Sequence, residues 1–311
     1  MGSGKRARVR ALGAAFGVGV AAWPGLAWAG ADAGARATAR AGAGFADAED
    51  AAGGPTRLAA ALLVPRYEAW VGAAGVDADA FQARIGAVDT RTGPVGASVS
   101  VGLSRTRHVP ALAEQPGWRV PGADPRVLDR ATDVELALGI PLGGTEEDPR
   151  RAGGIAVSVG WTARSRTPFG EDGAEGDTPS ATPPPSADAD AWRAAAGGSW
   201  LAHPTLVFAG GWATTGVSRG NALLGAAWRP TGGVGVHADG TVPLDAPGDA
   251  RGALGVDAGG RLRVAGGLAW TGGAFRPATG LGLRGEGADV DYGVIATGSG
   301  VRHALDIRGR F

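Results

Sequence analysis

The sequence predicts an all-β protein: a transmembrane antiparallel β-barrel of about fourteen strands, with twelve as the alternative, preceded by a separate amino-terminal segment. Three observations carry this. The chain opens with a basic, apolar leader and afterwards holds no apolar run of helical length. From about residue 66 to Phe311 it falls into segments about ten residues long with strict apolar/polar alternation, the length and period of a tilted strand crossing a bilayer. Aromatic residues of apolar parity lie at or near the ends of those segments, as in the girdles of outer-membrane barrels.

The elements follow in order. Residues 1–29 read as a secretory signal peptide: Lys5, Arg6, Arg8 and Arg10 precede an apolar run broken by Pro24, and Ala27-Trp28-Ala29 offers a small-x-small cleavage pattern. No Cys follows, so a lipoprotein anchor is not expected. Residues 30–65 are rich in Ala and Gly and lack alternation, which fits either a plug small enough for a barrel lumen or a periplasmic tail. Residues 66–311 form the barrel, with strands expected to start near Arg66, Ala80, Val95, Thr132, Ile155, Ala191, Thr205, Ala222, Val234, Ala253, Leu262, Phe275, Ala288 and Val301. Backbone groups in lipid must pair internally, so such a sheet has to close. A soluble sandwich would use shorter strands and a more varied apolar face.

The two long connections, Thr106 to Arg130 and Arg166 to Asp190, follow the third and fifth strands and so leave the same end of the barrel. Short periplasmic turns and long outer loops then place that end outside. The aromatic girdle is assigned to Trp161, Trp192, Trp200, Trp212, Trp228, Trp270 and Phe311. The expected surroundings are outer-membrane lipid. Phe311, a terminal aromatic, resembles the carboxy-terminal signal recognised by bacterial barrel-assembly machinery. The expected location is the bacterial outer membrane.

Composition narrows the function classes. Formal net charge is zero, which gives no basis for nucleic-acid binding. The absence of Cys removes disulfides and thiol chemistry. The 57 glycines, beside abundant Ala and Arg and a single Lys at position 5, read as codon bias in a GC-rich genome. Gly216-Val217-Ser218-Arg219-Gly220 matches G-x-S-x-G, but a nucleophile elbow needs a strand-to-helix turn, and this stretch joins two strands. Gly280 to Gly285 fits G-x-G-x-x-G without a following helix, so it cradles no phosphate. The four histidines, His108, His203, His237 and His303, have no metal-ligand spacing, and no cofactor is expected.

Parity sorts the charges. Arg84, Asp133, Glu135, Asp239, Asp257, Arg261, Arg263, Arg276, Arg284, Asp289, Asp291, Arg302, Asp306, Arg308 and Arg310 are expected to face the lumen, with both signs nearly balanced. Inward charges that pair across strands favour a filled lumen over an ion-selective pore. A solvated polar interior is the plainer alternative.

The amino-terminal stretch carries Ala35-Arg36, Ala41-Gly42-Ala43-Gly44, Phe45-Ala46, Glu49-Asp50-Ala51 and Pro55 to Ala59. The carboxy-terminal part carries Gly280 to Arg284, Asp291-Tyr292, His303, Leu305 and Arg310-Phe311. In type and order these motifs resemble the two ends of the FadL long-chain fatty-acid channel family and its PorV-like relatives. The resemblance covers both ends and the strand count, not the middle, and Gly54 stands where the family's N-P-A motif has Asn. It implies that residues 30 to about 65 form a hatch inside the barrel, to which Arg36, Arg40, Asp47, Glu49 and Asp50 would contribute charge. It further implies passive transfer of a small hydrophobic molecule. The PorV-like relatives imply instead a surface or secretion-associated role without transport. A barrel hydrolase using Ser218 is the third reading.

Overall fold

The computed structural model describes residues 34–47, 57–77, 80–108, 127–143, 151–168, 191–216, 220–298 and 300–311. The expected signal peptide, Glu49, Asp50 and Ser218 lie outside the described residues.

The chain is a closed barrel of fourteen antiparallel strands, each paired with its sequence neighbours. The strands are β1 (Tyr67–Asp77), β2 (Ala80–Asp89), β3 (Gly96–His108), β4 (Val127–Leu142), β5 (Gly153–Pro168), β6 (Ala191–His203) and β7 (Leu206–Thr215). They continue as β8 (Asn221–Thr231), β9 (Val234–Pro243), β10 (Arg251–Gly259), β11 (Leu262–Thr271), β12 (Ala274–Arg284), β13 (Ala288–Thr297) and β14 (Gly300–Arg310). Closure comes from β1 against β14, with Glu68 opposite Arg310 and Gly75 opposite His303. That removes the unpaired edges that hydrocarbon would not tolerate.

Alternation decides which side chain meets lipid. In β4, Val134, Leu136, Leu138 and Ile140 are exposed on the outer face, while Glu135 and Ala137 between them are buried. The same pattern runs through β3, where Val99, Val101 and Leu103 are exposed and Ser100 is buried. An apolar exterior around a polar interior inverts the soluble arrangement, because the solvent of the outer wall is lipid.

Cross-strand register sorts the outward aromatics into two belts. Trp200, Phe208, Trp228, Tyr67 and Phe311 lie toward the end where β14 finishes. Tyr67 and Phe311 meet there with ring centroids 5.7 Å apart. Trp161, Trp192, Trp270, Phe275 and Phe81 lie toward the other end, where Trp161 and Trp192 pack edge to face at 4.6 Å. Trp212 sits between the belts. Trp161 is half-buried, and the other six residues expected in the girdle are exposed.

One strand differs from expectation. β4 begins at Val127, not near Thr132. Its first turn of residues projects past the outer aromatic belt, where no lipid demands an apolar outer face, so alternation fades while pairing with β3 and β5 continues.

Two short helices belong to the segment before β1: α1 (Ala35–Ala39) and α2 (Leu58–Ala61). Both are buried throughout. α1 packs against β11 to β14, and α2 against β3 to β6.

Candidate functional site

A barrel's strands tilt, so a level circuit of the lumen steps along each strand as it passes from one to the next. Following cross-strand partners with that stagger gives closed rings of inward-facing positions.

One ring at mid-height is mostly glycine. It runs Gly72, Gly86, Ser100, Ala137, Ser158, Gly197, Gly211, Gly225, Asp239, Gly255, Gly267, Gly280, Gly293 and Asp306. From Gly211 to Gly293 the reason is the close approach of residues 35–46, while Gly86 faces the Trp70 ring and Gly72 the Asp306 carboxylate. A Cβ on Gly255 would stand 2.5 Å from the Arg40 Cβ. One on Gly267, Gly280 or Gly293 would overlap Arg40, Ala39 or Ala35 respectively. One on Gly225 would press on Phe45 and Ala46 at 3.1 Å.

Polar contacts hold residues 35–47 on this ring. The Ala35 N–H donates to the Asp306 carboxylate. Arg36 reaches Asp291 at 3.3 Å and Asp289 at 3.5 Å. Gly44 and Phe45 both donate their N–H to Asp239 at 2.7 Å. Arg40, fully buried, places one guanidinium nitrogen 2.8 Å from Asp47, 3.0 Å from Asp257 and 2.8 Å from His237 Nε2. Arg229 closes the cluster, 3.1 Å from Asp47 and 3.7 Å from Asp257. Burial works against the Asp47 carboxylate, and the Arg40 and Arg229 guanidiniums outweigh it, so its pKa is held well below the ordinary value. The turn after α1 needs left-handed backbone: Ala41 has φ 60° and Gly42 φ 94°, which lets the Gly42 N–H return to the Ala37 carbonyl at 2.7 Å.

The second described piece, 57–65, docks across the lumen. Leu58 and Leu62 pack with Val88, Ala137 and Ala156. Ser199 Oγ donates to the Ala59 carbonyl at 2.5 Å, and Arg151 donates to the Leu62 and Thr90 carbonyls at 2.8 Å. Arg57 ties the two pieces together through the Gly44 carbonyl at 3.3 Å.

The next ring up, toward the end with the long connections, changes character. On β6 to β14 it is Ala195, Ala213, Leu223, Thr241, Ala253, Ala269, Ala278, Ile295 and Ala304, an almost wholly apolar arc. On β2 and β4 the same ring carries Arg84 and Glu135, paired at 3.1 Å, with Ser158 donating to Glu135 at 3.1 Å. Leu223, Ala253, Ala269, Ala278 and Ile295 are partly exposed although they face inward, so they border open lumen. Above them the mouth is polar: Gln82, Asp133, Thr162, Arg193, Asn221, Arg251, Arg276 and Arg302. Asp133 there accepts from Thr162 at 2.7 Å and from Arg193 at 2.9 Å.

Of the charges expected in the lumen, Arg84, Glu135, Arg263, Asp289, Asp291, Asp306 and Arg308 are buried on the inner wall. Asp257 joins them, Asp239 is partly exposed, and Arg276, Arg284, Arg302 and Arg310 are half-buried toward the strand ends. Arg308 pairs with Asp291, and Arg310 with Asp289 at 2.6 Å and Glu68 at 3.4 Å. Arg261 does not join them: β11 starts at Leu262, so Arg261 is an exposed residue of the preceding turn. Sequence reasoning missed the glycine ring, the apolar arc and His237, which it weighed only as a metal ligand. The signal for the first two was present as inward-parity Gly and Ala recurring strand after strand.

No protein-family model matches the chain, and no curated protein does. Solved structures do. The chain is similar to CymD, a monoaromatic hydrocarbon channel, with a TM-score of 0.62 at 10% identity over 91% of this chain and 98% of that one. It is similar to the Pseudomonas putida toluene transporter TodX, with a TM-score of 0.57 at 12% identity over 91% of this chain and 97% of that one. At such identities the likeness is one of fold: this chain has the fourteen-strand architecture of those channels, the fold that the resemblance to the fatty-acid channel family implies.

Proposed function

We propose that this chain is a bacterial outer-membrane channel that passes a small apolar molecule down its gradient, with residues 30–65 as its plug. The observation that carries the reading is the apolar arc from Ala195 to Ala304, bordering open lumen directly above residues 35–46. The fold shared with CymD and TodX, a hydrocarbon channel and a toluene transporter, supports it. The molecule enters the polar mouth, sheds water and rests against the arc. It moves on only when the plug loosens. The contacts that hold the plug are hydrogen bonds and ion pairs that re-form unaided, so flux follows concentration. In this reading the exposed Phe311 is also the handle for barrel-assembly machinery.

The test is uptake of a labelled monoaromatic hydrocarbon by a Gram-negative host whose lipopolysaccharide layer blocks it. Expression of the full chain should speed uptake, a sugar of similar size should gain nothing, and Ile295→Asp should abolish the gain while leaving the heat-resistant folded band on gels. A folded protein that changes neither uptake would support a surface or secretion-associated role instead.

A further inference from the structure

The polar mouth is unevenly charged. On β4 and β6, Asp133 and Arg193 match each other at 2.9 Å. On β14, Arg302 donates to Gln82 at 3.2 Å. Among the described residues, the inner wall of β8 to β14 above the glycine floor carries no carboxylate, yet it holds Arg251 and Arg276. Each stands one inward position above the apolar arc, Arg251 above Ala253 on β10 and Arg276 above Ala278 on β12. Both are half-buried and reachable from the lumen. Neither makes a hydrogen bond or an ion pair among the described residues, and Arg251 Nε is buried without a partner. The charges that act on Arg251 are Asp249, exposed in the turn before β10, and Arg276 itself. One solvated carboxylate thus stands against two guanidiniums that repel each other.

An anion between the two converts that repulsion into attraction. β10 and β12 flank β11, so the two arginines spring from backbone about 10 Å apart, and both forks reach a carboxylate held between them. The arc below fixes the rest of the occupant. With its anion at the arginines, its body rests against Ala253, Ala278 and Ile295, so that body is apolar. It is also short. Arg251 stands only about 13 Å of strand above Gly255 in the floor, where Arg40 blocks the way, and a long chain would run onto the plug. We propose that Arg251 and Arg276 form an anion subsite over the apolar arc, and that the cargo it selects is a compact apolar molecule bearing one carboxylate. The carboxylate keeps charged partners while the body sheds water, which a neutral polar group of the same size could not match. The inference rests on the channel reading of the arc and adds the charge of the cargo to it.

The full chain, purified in an uncharged detergent, is dialysed at pH 7 against labelled benzoate or labelled benzamide, which has the same shape without the charge. Wild-type protein should bind benzoate about tenfold more tightly than benzamide, since hydrogen bonds between charged groups are the stronger kind. A variant carrying Arg251→Gln and Arg276→Gln should bind benzoate no better than benzamide and bind benzamide as wild type does. Ile295→Asp should weaken the binding of both. Equal binding of the two by wild type, or benzoate binding that survives either the double variant or Ile295→Asp unchanged, overturns the proposal. So does competition by inorganic phosphate as strong as that by unlabelled benzoate, which would mark an anion site that makes no use of the arc. If the double variant lacks the heat-resistant band, Arg276→Gln alone is measured, and unchanged benzoate binding there also overturns it. Uptake of a neutral hydrocarbon reads the channel without these arginines, so failure of the channel reading and failure of the anion subsite are told apart.

Discussion

Gly267 has no side chain because Arg40 stands where one would be. In a chain with 57 glycines, such a residue looks like compositional background, and only the register reveals that Gly255, Gly267, Gly280 and Gly293 form one bed for residues 35–40. A larger residue there has no flexible neighbour to push aside, since the atoms in its way are Arg40 backbone. Gly267→Leu should therefore expel the plug while the barrel folds, seen as raised conductance in planar bilayers with an unchanged heat-resistant band. Arg40→Ala should act through charge instead. It removes the closer of the two cations that Asp47 and Asp257 share, leaving Arg229, and breaking a buried pair costs about 3–5 kcal/mol. Asp47 also sets the pH response. Its folded pKa is depressed, so its contribution to plug docking is complete above the ordinary carboxylate value of about 3.9 and is lost as pH falls through the lower folded value. The groups facing it are Arg40, Arg229, His237 and Arg36. Conductance should stay flat from pH 7 to about pH 4 and rise only below. A rise already at pH 6 would show that Asp47 does not set the response.

At the scale of the strand, alternation was legible wherever lipid touches the outer face and illegible where it does not. β2, β6, β9, β11 and β13 begin at the residues that alternation marks, Ala80, Ala191, Val234, Leu262 and Ala288. β4 begins earlier, because Val127 to Ala131 pair with β3 and β5 beyond the apolar belt, where the outer face carries Arg130. Hydrogen bonding fixes a strand's length, but only burial in lipid writes the length into the sequence. Within the belt the phase has a cost attached. Leu136 is 53% exposed on the lipid face, and Arg there should destabilise the barrel by about 2–4 kcal/mol. Glu135, one residue away, faces inward against Arg84. Leu136→Arg should lose the heat-resistant band, whereas Glu135→Gln keeps a hydrogen-bonding partner for Arg84 and should retain it. Equal loss in both would mean that the Arg84–Glu135 pair matters to assembly as much as the lipid face.

The whole molecule divides its lumen by height: paired charges below, a glycine floor, an apolar arc, then a polar mouth. Sequence parity could say which residues face inward but not at what height, because height depends on the stagger between strands, and stagger is a property of closure. Residues Val207, Asp239 and Ala253 share inward parity, yet Val207 lies below the floor, Asp239 in it and Ala253 above it. The same limit applied to residues 30–65, for which the sequence left plug and tail both open; the contacts of Arg36 and Arg40 with the inner wall concern the described residues 34–47 alone. The described pieces of that segment line different stretches of the wall, 34–47 on β6 to β14 and 57–65 on β3 to β6. A barrel of this strand number encloses space that side chains alone do not fill. Removing Ala31 to Gly53 would take away the piece on β6 to β14, expose the glycine floor and leave Asp239, Asp257, Asp289 and Asp291 without the Arg36, Arg40 and backbone N–H groups that now face them. The barrel wall loses no strand pairing, so the variant should still fold. It should conduct more than the full chain in planar bilayers, and the added current should favour cations, since the uncovered floor is acidic. Equal conductance would mean that the second piece, through Leu58, Leu62 and the Arg151 contacts, closes the lumen by itself. Added current favouring anions would mean that the arginines of the mouth, not the uncovered floor, govern the path.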